Sequence, residues 1–96
     1  MNPDSDKPNF HYVYVLQSKK NNQWYTGCTS DLRKRFKQHS AGEFGSWTKG
    51  RGPFVLIYYE AYKNQKDAYT REKQLKSGAG KAYLRKRLKR FLSLSG

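Results

Sequence analysis

The sequence predicts an α+β domain with elements in the order β-β-α-β-α-α. Three observations carry that prediction. The stretches Phe10–Ser18, Trp24–Cys28 and Pro53–Tyr62 are rich in β-branched and aromatic residues, as strands are. The segments after Ser30, Asn64 and Gly80 instead space their apolar residues three and four apart, as helices do. The chain holds 96 residues, enough for one domain with one ordinary core.

Residues 1–9 read as an N-terminal tail, because Pro3, Pro8 and their polar neighbours offer nothing to bury; a single domain is expected over 10–94. Alternation along Phe10–Ser18 puts Tyr12, Tyr14 and Leu16 on one face and Val13, Val15 and Gln17 on the other. Lys19–Gln23 is a polar turn, which makes Trp24–Cys28 the second strand of a hairpin, with Gly27 near its end where the backbone needs freedom or close approach. Ser30 is the expected N-cap of the first helix, and Asp31 places a negative charge in its first turn. That helix is expected to end at Ala41-Gly42, before a Gly-rich basic loop over 42–52.

Pro53–Tyr62 reads as a third, largely buried strand. Asn64 caps the next helix with Asp67 at its third position, and the helix runs to Ser77. Gly78-Ala79-Gly80 reads as a break. A last helix over Lys81–Leu94 carries Leu84, Leu88, Phe91 and Leu92 on one face.

Composition narrows the function. Twenty Lys and Arg against seven Asp and Glu give a net charge of +13. Such an excess repels itself in a compact state and suits a polyanionic partner, with nucleic acid leading. Leu, Ile, Val and Phe make only 17 of the 96 residues, just under the ~20% level associated with disorder in highly charged chains. Eight Tyr, five Phe and two Trp supply the missing buried area, so a folded domain is expected. The lone Cys28 excludes an internal disulfide framework and a Cys-rich zinc site; it reads as a small, partly buried thiol. No apolar run reaches the roughly 18 residues of a membrane span. The polar start lacks a signal-peptide core, so a cytoplasmic protein that acts as a monomer is expected.

Polar residues recur inside apolar helical stripes. Leu32, Arg35, Phe36 and His39 share one face of the first helix, which turns a guanidinium and an imidazole inward. Arg35 snorkelling at a rim beside a satisfied His39 is one reading; a site is the other. Ala68, Glu72 and Leu75 repeat the pattern in the second helix. A carboxylate there needs a partner: Arg35, a lysine or a metal ion. Tyr12, Tyr14 and Tyr25 are either core aromatics with hydroxyls at the rim or a hydroxyl cluster. Arg35, His39, Glu72 and a tyrosine pair would together supply phosphate clamping, proton transfer and metal binding, the needs of phosphodiester hydrolysis.

At these residues the sequence resembles a GIY-YIG endonuclease domain, of the small single-domain bacterial type. The first motif matches Tyr12-Val13-Tyr14 and the second Tyr25-Thr26-Gly27. The helical Arg matches Arg35, the helical His found in many members matches His39, and the metal-binding Glu matches Glu72. The match covers about residues 10–90. It departs at Tyr12, which replaces the first Gly, at Thr26, which replaces Ile, and after Gly80, where a late Asn has no counterpart.

The resemblance implies a three-stranded antiparallel sheet with flanking helices. It also implies a divalent cation, Mg²⁺ or Mn²⁺, held by Glu72, and a phosphate clamp at Arg35. Tyr14 and Tyr25 are the candidates for base or positioning roles, with His39 as acceptor of a tyrosine proton. The activity implied is endonucleolytic cleavage of DNA, with RNA as a further substrate class; the alternative is a catalytically silent nucleic-acid-binding module on the same fold.

Lys34, the loop residues Trp47, Lys49 and Arg51, and Lys81 and Arg85 of the last helix are the expected nucleic-acid contacts. No base-reading motif is present, so structure-selective or weakly specific binding is expected. No further DNA-binding segment follows, so targeting is expected from this domain or from a protein partner.

Overall fold

The computed structural model describes residues 9–42 and 49–94. The expected tail, apart from Asn9, and Trp47 with the middle of the basic loop lie outside the described residues. Strands β1 (His11–Ser18), β2 (Trp24–Thr29) and β3 (Phe54–Tyr62) form one antiparallel sheet in the order β2-β1-β3. The helices are α1 (Leu32–Ser40), α2 (Gln65–Lys76), α3 (Gly78–Arg87) and α4 (Lys89–Leu94).

β1 is central and covered on both faces, so every residue from Val13 to Ser18 is buried. Its alternation sorts two cores. Val13 and Val15 pack with Ala68 and Leu75 of α2 and Leu84 of α3. Tyr14 and Leu16 pack with Phe54, against Leu32 and Phe36 of α1. The apolar positions read from the sequence are the ones that meet across these layers.

The hairpin turn is organised by buried Ser18. Its hydroxyl donates to the Arg51 carbonyl at 2.6 Å and accepts from the amides of Lys20 and Asn21. Asn22 takes a positive φ of 62°, a conformation Asn adopts more readily than most residues. The β1–β3 ladder shifts register between Val15 and Leu16; before the shift, Tyr14 faces Tyr59 and Val13 faces Glu60.

Four expectations are corrected. The α1 cap is Asp31, not Ser30: Thr29 Oγ1 accepts the Asp31 amide, and Asp31 stays extended to accept from the Lys34 amide at 3.1 Å. β3 is an edge strand, so only Phe54 is fully buried, and Tyr59 and Ala61 are exposed. Gly78-Ala79-Gly80 is the first turn of α3, capped by Ser77, which accepts from the Gly80 amide at 3.0 Å. A side chain at Gly80 would stand 2.6 Å from the Leu75 Cα, so glycine here permits α3 to start hard against the end of α2. The expected last helix is two, α3 and α4, because the backbone leaves helical geometry at Leu88 (φ −104°, ψ 18°). Of its apolar stripe only Leu84 is buried, and Phe91 is exposed. The Asn64 cap of α2 forms as expected, accepting from the Lys66 amide at 2.8 Å.

β3 and α2 are also joined by polar contacts. Glu60 accepts hydrogen bonds from the hydroxyls of Tyr58 and Tyr62 and from Nε and a terminal nitrogen of Arg71, at 2.8 and 3.0 Å. Burial alone would raise the Glu60 carboxyl, but the hydrogen bonds from Arg71, Tyr58 and Tyr62 outweigh it and hold its pKa down to about 2. The Arg71 guanidinium also lies over the Tyr83 ring of α3, 5.0 Å from its centroid. Among the described residues no helix is long and apolar enough to cross a membrane.

Candidate active site

The candidate site is built on the residue at the middle of the sheet. Tyr14 is 1% exposed, and its ladder partner on β2 is Gly27. The tyrosine ring lies across that glycine: a Cβ at position 27 would stand 2.6 Å from Tyr14 Cζ. Gly27 is thus the gap through which the phenol reaches over β2.

α1 covers the ring from above. The stripe Leu32, Phe36 and His39 faces the sheet, as its spacing implies. His39 is 1% exposed, and its Nε2 lies 2.9 Å from the Tyr14 hydroxyl. Tyr25, two residues before Gly27 on the same strand face, brings its ring centroid 4.8 Å from His39 and 6.3 Å from Tyr14. Phe54 closes the far side of the imidazole.

Two charged groups act on this cluster. Burial pushes the Tyr14 phenol up and Tyr25 adds to that, while a side-chain hydrogen bond from Arg35 and its positive charge pull the phenol down; the Glu72 carboxylate also raises it. Burial lowers the His39 imidazole to about 4, and the Arg35 charge contributes. His39 is therefore neutral at pH 7. A neutral imidazole thus hydrogen-bonds the phenol through Nε2, and the Arg35 charge acts on both groups.

Cys28 senses the same two charges from the other face of β2. Burial and Glu72 raise its thiol, and Arg35 offsets part of the rise. It is a half-buried, protonated thiol, as expected.

Glu72 acts on the site by charge, from α2. Its side chain is 20% exposed, and Oε2 accepts from Lys76 Nζ at 2.8 Å, which supplies the lysine partner the sequence allowed. Among the described residues no three His, Cys, Asp or Glu side chains gather as a metal cage. A magnesium-type ion does not require one, since it typically takes one or two carboxylates and completes its shell with water and substrate phosphate. The hard oxygens of Glu72, one of them outside the Lys76 contact, fit such an ion.

The protein surface beside Arg35 is cleft. One small hollow of about 210 Å³ is lined by Arg35, Cys28, Thr29, His11, Gln65 and Tyr69. Its neighbour is lined by Arg35, Lys34, Gln38 and the 29–31 turn. His11, Gln65 and Tyr69 were not singled out by sequence; nothing in their local spacing marks them.

A model of the GIY-YIG catalytic domain matches residues 10–87. The chain belongs to the GIY-YIG catalytic domain family. It is 41% identical over 66 residues to the UPF0213 protein BH0048 of Halalkalibacterium halodurans, covering 69% of each chain. It is 42% identical over 66 residues to the UPF0213 protein CPE1444 of Clostridium perfringens, covering 69% of this chain and 70% of that one. A solution NMR structure of UPF0213 protein BH0048 from Bacillus halodurans aligns at 39% identity over 78% of this chain and 81% of that chain, with a TM-score of 0.49.

In this GIY-YIG domain the residues singled out from sequence divide into two groups. Tyr14, Tyr25, Arg35, His39 and Glu72 converge by contact or by charge. Lys34 lines a cleft with Arg35. Lys81 and Arg85 lie exposed on α3, which packs on α2, and the Arg85 guanidinium sits over the Trp24 ring, 5.8 Å from its centroid. Lys49 is exposed and Arg51 half-buried. Trp47 lies outside the described residues.

Proposed function

We propose that this GIY-YIG domain is a divalent-metal-dependent endonuclease that hydrolyses phosphodiester bonds in DNA, with structure-selective or weak sequence specificity. The observation that carries the reading is the Tyr14–His39 contact at 2.9 Å, with Arg35 and Glu72 both acting on the same phenol. A buried, neutral imidazole aimed at a phenol is a proton acceptor in waiting. An anionic charge beside it is a cost that packing alone does not explain.

In the proposed reaction Arg35 binds the scissile phosphate and stabilises charge on its oxygens. The phenol of Tyr14 takes a proton from the attacking water as its own proton passes to His39 Nε2. The Arg35 charge that depresses His39 is then countered by the bound phosphate, so substrate itself raises the basicity of the imidazole. Tyr25 holds the imidazole ring in place. Glu72 would hold the Mg²⁺ or Mn²⁺ ion, which supplies charge neutralisation at the phosphate and leaving oxygen when bound. The exposed cations Lys34, Lys49, Lys81 and Arg85 would contact phosphates, giving binding that weakens by roughly 0.9 log units per phosphate neutralised for each log unit of salt.

The test is cleavage of supercoiled plasmid, branched DNA, single strands and RNA at low salt, with Mg²⁺, Mn²⁺ or EDTA. Metal-dependent cutting that Arg35→Ala reduces by at least a hundredfold is expected. One observation favours the second reading, a silent binding module: Lys76 already pairs with one oxygen of Glu72. Under that reading no metal produces cutting, and Lys76→Met does not restore it.

A further inference from the structure

The first motif places Tyr12 where the family pattern has glycine, and the proposed chemistry makes no use of it. Its ring meets Tyr59 edge-on, with centroids 6.0 Å apart. Tyr59 is the ladder partner of Tyr14 on β3 and is 54% exposed, so an aromatic face stands open beside the candidate site. The two tyrosines, with Leu32, Phe36 and Leu56, line an open groove of about 520 Å³ on the β3 side of α1. The Arg35 clefts lie on the other side of that helix. The groove and the cleft lined by Lys34 share the Ser30–Asp31 turn.

We propose that this groove is a docking site for one unpaired nucleobase of a strand whose neighbouring phosphate sits on Arg35. The inference rests on the nucleic-acid reading above and adds to it the class of substrate: a strand with an extrahelical or single-stranded nucleotide beside the reacting phosphate. Two features favour a base as the occupant. The lining is aromatic and aliphatic, which suits a flat π-face and tolerates any base. Arg33 borders the groove, so a guanidinium stands where the backbone of a docked strand would pass. A paired base inside a duplex cannot present its face here, so the groove discriminates by structure without reading sequence.

The experiment measures binding rather than cleavage, on the full chain in EDTA. The probes are a blunt duplex and the same duplex carrying one extrahelical 2-aminopurine, whose fluorescence is quenched by stacking. Wild type is expected to bind the bulged duplex more tightly and to quench the probe. Tyr59→Ala is expected to weaken binding of the bulged duplex roughly tenfold, within the range of one base–aromatic stack. It should abolish the quench, leave the blunt duplex unaffected, and be rescued by Tyr59→Phe. Circular dichroism and thermal unfolding check that each variant is folded; Tyr59 is exposed enough for the substitution to be tolerated.

Equal loss on both duplexes, or no change on either, overturns the base site and leaves the nuclease reading standing. Stacking without cutting in any metal upholds the base site and overturns hydrolysis. No binding to either probe overturns both.

Discussion

Gly27 faces Tyr14 directly across the β1–β2 ladder, and the tyrosine ring occupies the space a side chain at 27 would need. The absence of one Cβ lets the most central aromatic of the sheet lie over the neighbouring strand and meet His39. The Gly of the second motif is therefore a steric element of the site and not a turn residue. It sits inside β2, and its φ is not in the left-handed region.

Gly27→Ala follows from that contact. The added methyl overlaps the Tyr14 ring and forces it off its rotamer, at a cost of about 1–3 kcal/mol. Chemical denaturation should show that loss. The Tyr14–His39 hydrogen bond should be disturbed with it, so cleavage is expected to fall further than stability accounts for.

The pH dependence turns on His39. Its folded pKa of about 4 lies below the ordinary value of 6.5. The unfolded chain thus binds the extra proton first, and this residue's contribution to stability is lost as pH falls from 6.5 toward 4. NMR titration of the imidazole should find His39 still neutral at pH 5.5. The acid limb of kcat/KM, which reports the free protein, should not place a His39 ionisation near 6.5.

Glu60 is the second acid-sensitive joint. Its carboxyl is held to about 2 against an ordinary 4.5. The stability it adds is therefore present above 4.5 and lost as pH falls from there toward 2. Glu60→Gln removes the charge-assisted bonds from Arg71 and should cost about 2 kcal/mol at neutral pH. That corresponds to a Tm lower by roughly 10 °C in a domain of this size. At pH 2.5 the gap between variant and wild type should shrink. Because Arg71 precedes Glu72 on α2, the variant also tests how firmly that helix is held over the sheet.

Much of this was legible in sequence because it is periodic. The alternation in β1 sorted Val13 and Val15 from Tyr14 and Leu16, and the spacing of Leu32, Phe36 and His39 turned the imidazole inward. The local signals failed where a neighbour decides the outcome. Ser30 is a sound cap by type, but the Thr29 hydroxyl holds the Asp31 amide and moves the helix start. Gly78 and Gly80 look like a breaker, yet α3 begins through them because α2 lies against the turn. Glu60 sits in a run of aromatic residues with no helical stripe to mark it, and its partner Arg71 is eleven residues away on another element. The inward Glu72 asked for a partner, a lysine among them, but its pairing with Lys76 and its charge coupling to Tyr14 needed the fold.

The most direct measurement is cleavage of supercoiled plasmid in Mg²⁺ by wild type and by Glu72→Gln, purified identically, with DNA binding measured alongside. The substitution keeps the side-chain shape and removes the charge. Cutting by wild type that disappears in the variant, with binding retained, is the expected result. Equal cutting by the folded variant would contradict the assignment of Glu72, and with it the site as a metal-dependent phosphodiesterase.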